Sequence, residues 1–487
     1  MHYKNYLKGI TLVFLCTGLI ACTKSLKDET ISSAGYDQIR KNWTLKNAAV
    51  SDDNILLEKD GATVISKFTV GNFDLKMKLK TTPGAEGSLA FHATPDGAAS
   101  QQFYSVFINN SEYRSGNAQK TGSLSLIRNF FVRMANDDEW FDLGLSVRSN
   151  HITVTVNGKI VTEYYEPESP LRLEGLEDMV LSEGRFVLCK SGDPGSIFVS
   201  EITIEALSDD IPREIADFET TDEVAEQLTL LNQKGFPVID FHGHLKRTLT
   251  MDQITKYGRD HGFNYGIAEN CGLSFPVTDD ASLNEYYNDL VNEPVFKAMQ
   301  CEGREWVTLF SPQYIEQFDY IFTDAMTFTD HRGRRMRLWV RSEVVVESEE
   351  QFIDMMVGKI LGILSQEPVD IYVNPTYLPA EISQNYDKLW TPERMDRVIS
   401  ALIEYDVALE INSRFRVPGI EFMKRAKAAG VKFTFGTNNA GANDLGRLEY
   451  CIQAIREVGI TPEDMFLPKP AGQKKVSFMG LPEKPTG

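Results

Sequence analysis

The hydrophobic pattern of this chain changes period once, near residue 207, and that change rules out a single uniform architecture. Before it, apolar side chains recur at every second position. Phe73, Leu75, Met77 and Leu79 alternate with Asp74, Lys76 and Lys78, as in a strand with one buried face. Ile152, Val154 and Val156 repeat the alternation, and Asn157-Gly158 supplies a two-residue hairpin turn before Ile160 and Val161. Strands are also expected at 186–188 and 197–204. Short strands without helical periods predict an all-β, two-sheet antiparallel sandwich over residues 36–207. Asp209, Asp210, Ile211 and Pro212 then break the pattern, and 208–235 read as a helical linker. Beyond it, apolar runs at 238–241, 263–268, 306–310, 320–323, 370–373, 407–411 and 431–435 read as strands. Helical segments are expected between them. One opens at Thr391-Pro392-Glu393 with a cap residue and a first-turn proline; another covers 422–429 and stops at Gly430. Repeated strand-then-helix units over 236–470 predict an α/β barrel of the (β/α)7-8, TIM-like kind. The chain is thus multidomain, with 471–487 expected as a peripheral tail.

The N-terminus is of another kind. Lys4 and Lys8 precede an apolar stretch from Ile10 to Ala21. That stretch is too short to span a bilayer, which takes about 20 apolar residues, and it fits a secretory signal over 1–21. Leu19-Ile20-Ala21-Cys22 resembles the lipobox of bacterial lipoproteins. The resemblance implies cleavage before Cys22, lipid attachment to its thiol, and a place in the cell envelope facing the periplasm or the exterior. Residues 22–35 read as a flexible tether. Of six cysteines, Cys189, Cys271, Cys301 and Cys451 remain beyond this region. Their spacing matches no zinc ribbon or disulfide framework, so buried free thiols are expected. The net charge of -19 excludes nucleic acid as a partner, since phosphate binding needs clustered Lys and Arg.

The sharpest chemical motif is Asp240-Phe241-His242-Gly243-His244, at the C-terminal end of the first expected barrel strand. Residues two apart on a strand face the same side, so His242 and His244 aim two imidazoles into the end of a barrel where such folds hold their chemistry. That pairing suits a divalent cation. The barrel resembles the polymerase and histidinol phosphatase (PHP) metallohydrolases of the broad amidohydrolase-like group. Asp240 to His244 matches their D-x-H-x-H start. Cys301-Glu302-Gly303-Arg304-Glu305 resembles their glutamate-bearing third strand, with Glu305 in the ligand position. Ala408 to Ser413 resembles their L-E-I-N strand, and Phe435 to Ala440 lies where they carry a G-S-D-A-H type segment. The sequence also departs from the family. Strand two ends in Ala268-Glu269-Asn270, the fourth-strand position is Asp324, a histidine before proline is replaced by Asn374, and the last aspartate and histidine positions are Asn438 and Ala440. Only four histidines lie in the barrel half, too few for a trinuclear site. The resemblance then implies one divalent ion, zinc or manganese, on His242, His244 and Glu305, with Asp324 as a further ligand or a catalytic carboxylate; Glu269 is the second catalytic carboxylate expected, as the group that takes a proton from a keto-glycoside.

Further polar groups are expected at the substrate: His331, Arg334 and Arg335 in an Arg-rich loop, Arg414, Glu410 and Asn438. The sandwich has its own resemblance. Lys120 to Leu124, the segment 140–167, and Gly184-Arg185-Phe186 through Asp193-Pro194-Gly195-Ser196 look like the 3-keto-disaccharide hydrolase domain, which implies a concanavalin-like jelly roll acting on keto-glycosides. Where that family carries Gln-Gly-His, this chain has Cys189, Lys190, Ser191 and Gly192. His92, near Glu86 and Gln102 in sequence, is a further candidate groove residue. Together these readings predict a carbohydrate-active hydrolase or lyase of the cell envelope with a sugar-binding sandwich. The rivals are a non-catalytic glycan-binding lipoprotein and a PHP-type phosphoesterase.

Overall fold

The computed structural model describes residues 24–94, 103–111, 118–215 and 223–481. The expected signal, Cys22 and Gln102 lie outside the described residues. The chain divides into two compact units, 1–235 and 236–487. Among the described residues no helix is long and apolar enough to cross a membrane.

The first unit is an antiparallel sandwich. Its larger sheet has eight strands, centred on Phe73–Thr81 between Trp140–Arg148 and Ile197–Ala206; its smaller one has five, centred on Arg185–Ser191. Period-two patterning decides which faces meet. Phe73 of the larger sheet packs against Phe186 and Phe91 of the smaller, at ring separations of 4.7 and 6.0 Å. The hairpin turn forms as expected. Asn157 and Gly158 both take positive φ, 50° and 78°, the geometry that matches strand twist. The tether expectation does not hold over the described part. Glu29–Ala34 is a strand. Ile197–Val199 pairs with Ile55–Leu57, and where that partner ends Glu29–Ala34 takes over along Glu201–Ala206. It satisfies edge groups that would otherwise be bare. Between the sandwich strands and residue 235 the described helix is Glu223–Gln233.

The second unit is built on a closed, seven-stranded parallel barrel: Ile239–Gly243, Asn264–Cys271, Phe296–Cys301, Tyr320–Thr323, Ile371–Tyr372, Ala408–Asn412 and Phe433–Gly436. Helices fall between successive strands in the chain, among them Met251–His261, Glu349–Gln366, Pro392–Glu404 and Ile420–Ala429. Their ends follow local chemistry. Thr250 and Gln253 form a capping box, Thr391 accepts from Arg394 N, and Gly262 and Gly430 close helices in the left-handed conformation.

Two expectations fail here. Residues 306–310 are not a strand: Trp306–Leu309 is a short helix. Gly303 turns the chain at φ 70°, and the buried Trp306 donates its indole N–H to Glu367 Oε2 at 2.6 Å. The tail is not peripheral. Lys474 and Lys475 are both buried. Lys474 Nζ donates to the carbonyls of Glu316 and Phe318, and Lys475 Nζ to that of Val369 at 2.7 Å. Burial pushes Lys475 down to about 8. Both lysines serve carbonyls at strand and loop ends that have no strand partner.

Packing inside the barrel is tight at one glycine. A Cβ on Gly266 would stand 1.9 Å from Tyr320 Oη, which donates to Phe241 O at 2.6 Å. Gly266→Ala is therefore expected to cost about 1–3 kcal/mol in unfolding free energy, as overpacked cores do; urea titration of wild type and variant measures it.

Candidate functional site

The C-terminal ends of the barrel strands assemble a layered polar network. Its base is Asp240, fully buried. Asp240 Oδ1 accepts from the backbone N–H of His242 and of Thr437, both at 3.0 Å, and Oδ2 accepts from Thr437 Oγ1. The first and last strands are thereby fastened where the barrel closes. Burial raises the Asp240 carboxyl above its usual range, against these hydrogen bonds.

Above it stand the two histidines expected from sequence, with ring centroids 5.1 Å apart. Both are buried, and each is held by Nδ1. His242 Nδ1 meets Glu410 Oε1 at 2.5 Å. His244 Nδ1 meets Ala268 O at 2.8 Å; a carbonyl only accepts, so Nδ1 carries the proton. The His244 backbone is locked from the other side, its N–H donating to Asn439 Oδ1 at 2.7 Å and its carbonyl accepting from Asn439 Nδ2 at 3.0 Å. Burial, His242 and Lys246 hold His244 well below the usual imidazole range, so its ring is neutral. The outer nitrogens, Nε2 of both rings, are buried without any hydrogen-bond partner. A buried polar atom left unpaired costs about 1–3 kcal/mol. Two such nitrogens side by side mark a place for a ligand's donors.

Glu410, expected at the substrate, is taken up by protein donors. It is fully buried. Besides His242 it accepts from Asn374 N at 2.6 Å and Asn412 Nδ2 at 3.0 Å. It orients His242 and the strand ends around it. Asn438 belongs to the same layer, its Nδ2 donating to Asn374 Oδ1 at 3.2 Å. Arg414, 41% exposed, donates to Asn438 O at 2.8 Å and so lies at the same end of the barrel. Asp324 is buried there too, accepting from Met326 N at 2.9 Å and Asn374 Nδ2 at 2.7 Å. Glu269, half-buried, takes its own neighbour's amide, Asn270 N, at 2.8 Å.

Two residues absent from the expected set complete the mouth. Glu302, 5% exposed, accepts on Oε1 from both Asn270 Nδ2 at 2.7 Å and Gln300 Nε2 at 3.0 Å. Burial, then the Asp324 carboxylate, push it up to about 8. Lys246, half-buried, is lowered by burial and by Arg414. Electrostatic influence links these groups in a ring: His242 acts on Asp324, Asp324 and Lys246 on Glu302, and Lys246 on His244. The pattern Gln300-x-Glu302 repeats the two-residue spacing of His242-x-His244, and that spacing is the signal that would have found Glu302.

The expected metal ligands do not come together. Glu305 turns back on the chain, with Oε2 accepting from Arg304 N at 2.8 Å beside Gly303. Catalytic zinc takes three protein ligands, and among the described residues no group of three or more His, Cys, Asp or Glu side chains is arranged to share an ion. The donor set therefore does not fit the expected ion.

His331 and Arg334 sit elsewhere, on the excursion between the fourth and fifth strands. They line a cavity of about 350 Å³ with Val345, Phe352 and Met355, and neither His242 nor His244 borders it. Arg334 is paired with Asp330 at 2.7 Å, and Arg335 is exposed in the strand Arg335–Arg337. In the sandwich, His92 is structural: it is buried, bonded through Nε2 to Gly71 O and through Nδ1 to Ser182 N, and lowered to about 4 by burial. The four described cysteines are free and buried.

A sandwich followed by a closed parallel barrel with an imidazole and carboxyl mouth is the architecture these residues define. Residues 23–204 match the family described as the 3-keto-alpha-glucoside-1,2-lyase-like domain. No curated protein matches the chain. Among solved structures, similarity is found to a Parabacteroides distasonis ATCC 8503 chain assigned to the glycosyl hydrolases (17% identity, 36% of this chain and 99% of that one, TM-score 0.32). It is also found to the carbohydrate binding module CBM66 of Bacillus subtilis (15%, 36% and 97%, 0.23). The domain match is the one that bears on function.

Two outcomes follow for stability. Removing the Glu410 carboxylate strands three buried donors, so Glu410→Ala is expected to lose about 3–5 kcal/mol of unfolding free energy, measured by denaturant titration. Glu302 holds its proton more tightly folded than unfolded. Its contribution to stability is therefore full below the ordinary carboxyl range and is lost as pH rises through about 8. Urea titrations across that window should show a decline in wild type that is missing from Glu302→Gln.

Proposed function

We propose that this chain is a carbohydrate-active lyase or hydrolase of the cell envelope, held to a membrane through Cys22. In this reading the sandwich binds a glycoside, and a TIM-like (β/α) barrel cleaves it at the His242–His244 mouth. The observation that carries the reading is the pair of buried, unpartnered Nε2 atoms. The lyase-like domain match over 23–204 supports the substrate class, a glycoside oxidised to a ketone at C3.

The chemistry follows from the side chains. A ketone at C3 acidifies the C2 proton. His244, neutral and fixed through Nδ1, offers the Nε2 lone pair to take that proton. The C2–H electron pair forms the C1=C2 bond as the C1–O bond to the aglycone breaks. His242, steadied by Glu410, accepts a sugar hydroxyl proton and holds the ring in place. Positioned general bases contribute roughly 100- to 10,000-fold. The expectation of a zinc or manganese ion enters no step, because only two of its three ligands stand together. That same shortage favours one rival, a glycan-binding lipoprotein whose barrel has lost its chemistry.

The test uses 3-keto-glycosides with the chain lacking residues 1–22. Wild type is expected to release the aglycone and to exchange the C2 proton with solvent. His244→Ala should lose both by about 100-fold or more, and chelation should leave both unchanged. Binding of the sugar without exchange or release would give the answer to the binding-protein rival. Activity abolished by chelator and restored by zinc would overturn the metal-free form.

A further inference from the structure

We propose that Glu302 is the proton donor to the departing aglycone oxygen, with its other oxygen held in place by two side-chain amides. This role rests on the reading above. Gln300 and Glu302 lie two apart at the end of the third barrel strand, so both face the same side as successive in-facing positions do. Asn270 Nδ2, from the neighbouring strand, and Gln300 Nε2 both donate to Oε1. Oε2 takes no hydrogen bond among the described residues. An acid needs that asymmetry: one oxygen fixed as acceptor, the other left to carry a proton outward.

The surroundings keep the proton on. The groups acting on Glu302 are the Asp324 carboxylate, the Arg304 guanidinium and the Lys246 ammonium, with the buried thiols of Cys271 and Cys301 beside them. Arg304 is already engaged by Glu367 at 2.6 Å and by Thr323 and Asp324 O. Burial and Asp324 prevail over the Asn270 hydrogen bond and the two cations, and the carboxyl rises to about 8. The mouth thus holds an open acceptor nitrogen in His244, fixed through Nδ1, and a one-sided carboxyl in Glu302, the two roles that acid–base catalysis separates.

The step balances. As His244 Nε2 takes the C2 proton, the C2–H pair becomes the second bond of C1=C2. The C1–O pair goes to the aglycone oxygen, which receives the proton from Glu302 Oε2. The products are the unsaturated ketone and the free alcohol. His244 then returns its proton to solvent and Glu302 regains one.

Glu302→Gln keeps an acceptor for Asn270 and Gln300 and removes the proton. On a 3-keto-glycoside with a methanol aglycone, the variant is expected to lose about 100- to 10,000-fold in kcat. On one with a 4-nitrophenol aglycone, which departs as a stable anion, the loss should be far smaller. The wild-type fall in rate above about pH 8 should vanish in the variant. Equal losses on both aglycones would overturn the role, because a merely structural carboxyl affects both alike. The protonation is read separately from activity, in the infrared difference between wild type and Glu302→Gln. A carboxylic-acid carbonyl band at neutral pH, fading as pH passes 8, supports the acid; its absence overturns it on any substrate. If the band is present while wild type leaves both keto-glycosides intact, the substrate reading fails and the acid stands.

Discussion

Asp240 accepts three hydrogen bonds from two strands that meet only because the barrel closes, and the mouth is built outward from that carboxylate. With Thr437 on one side and the amide of His242 on the other, it sets the height at which the first strand leaves the barrel. Glu410 and Ala268 then capture the two imidazoles by their inner nitrogens. Every rotation that would let either ring pair its outer nitrogen with protein gives up one of these contacts. Pre-organisation is achieved with neutral and singly charged acceptors alone, and the two Nε2 atoms remain unpaired as its direct result.

The same network separates the roles of the carboxyls. Glu410 and Asp240 are surrounded by donors and face inward. Glu302 receives only amides, both on one oxygen, and lies against another acid. Glu305, three residues on, is spent on its own backbone turn.

Much of the fold can be read from the sequence where one periodicity dominates. The alternation in 73–79 and 152–156 places the sandwich strands, and Asn157-Gly158 fixes the turn between two of them. Gly430 and Thr391 mark real helix ends. His242 and His244 were legible because spacing and strand end coincide in a run of five residues. Long-range pairing was not legible. Glu29–Ala34 is polar and becomes a strand only because Glu201–Ala206 has no other partner on that side. Lys474 and Lys475 look like a solvated tail until the carbonyls they serve are known. An apolar run led by Trp306 resembles a strand, yet a glycine and an indole hydrogen bond make it a helix. Glu302 was obscured by a family pattern that assigns the ligand three residues later, and Lys246 by the absence of any motif around it.

The clamp between Asp240 and Thr437 joins residues 197 positions apart. A nascent chain has synthesised His242 and His244 long before Thr437 exists, and until then the first strand end is held from one side only, by its pairing with the second strand. The imidazoles are present early as residues and late as a site. Folding and assembly of the site are thereby ordered in time: a chain that has not closed its barrel carries two histidines without the lattice of partners that sets them side by side.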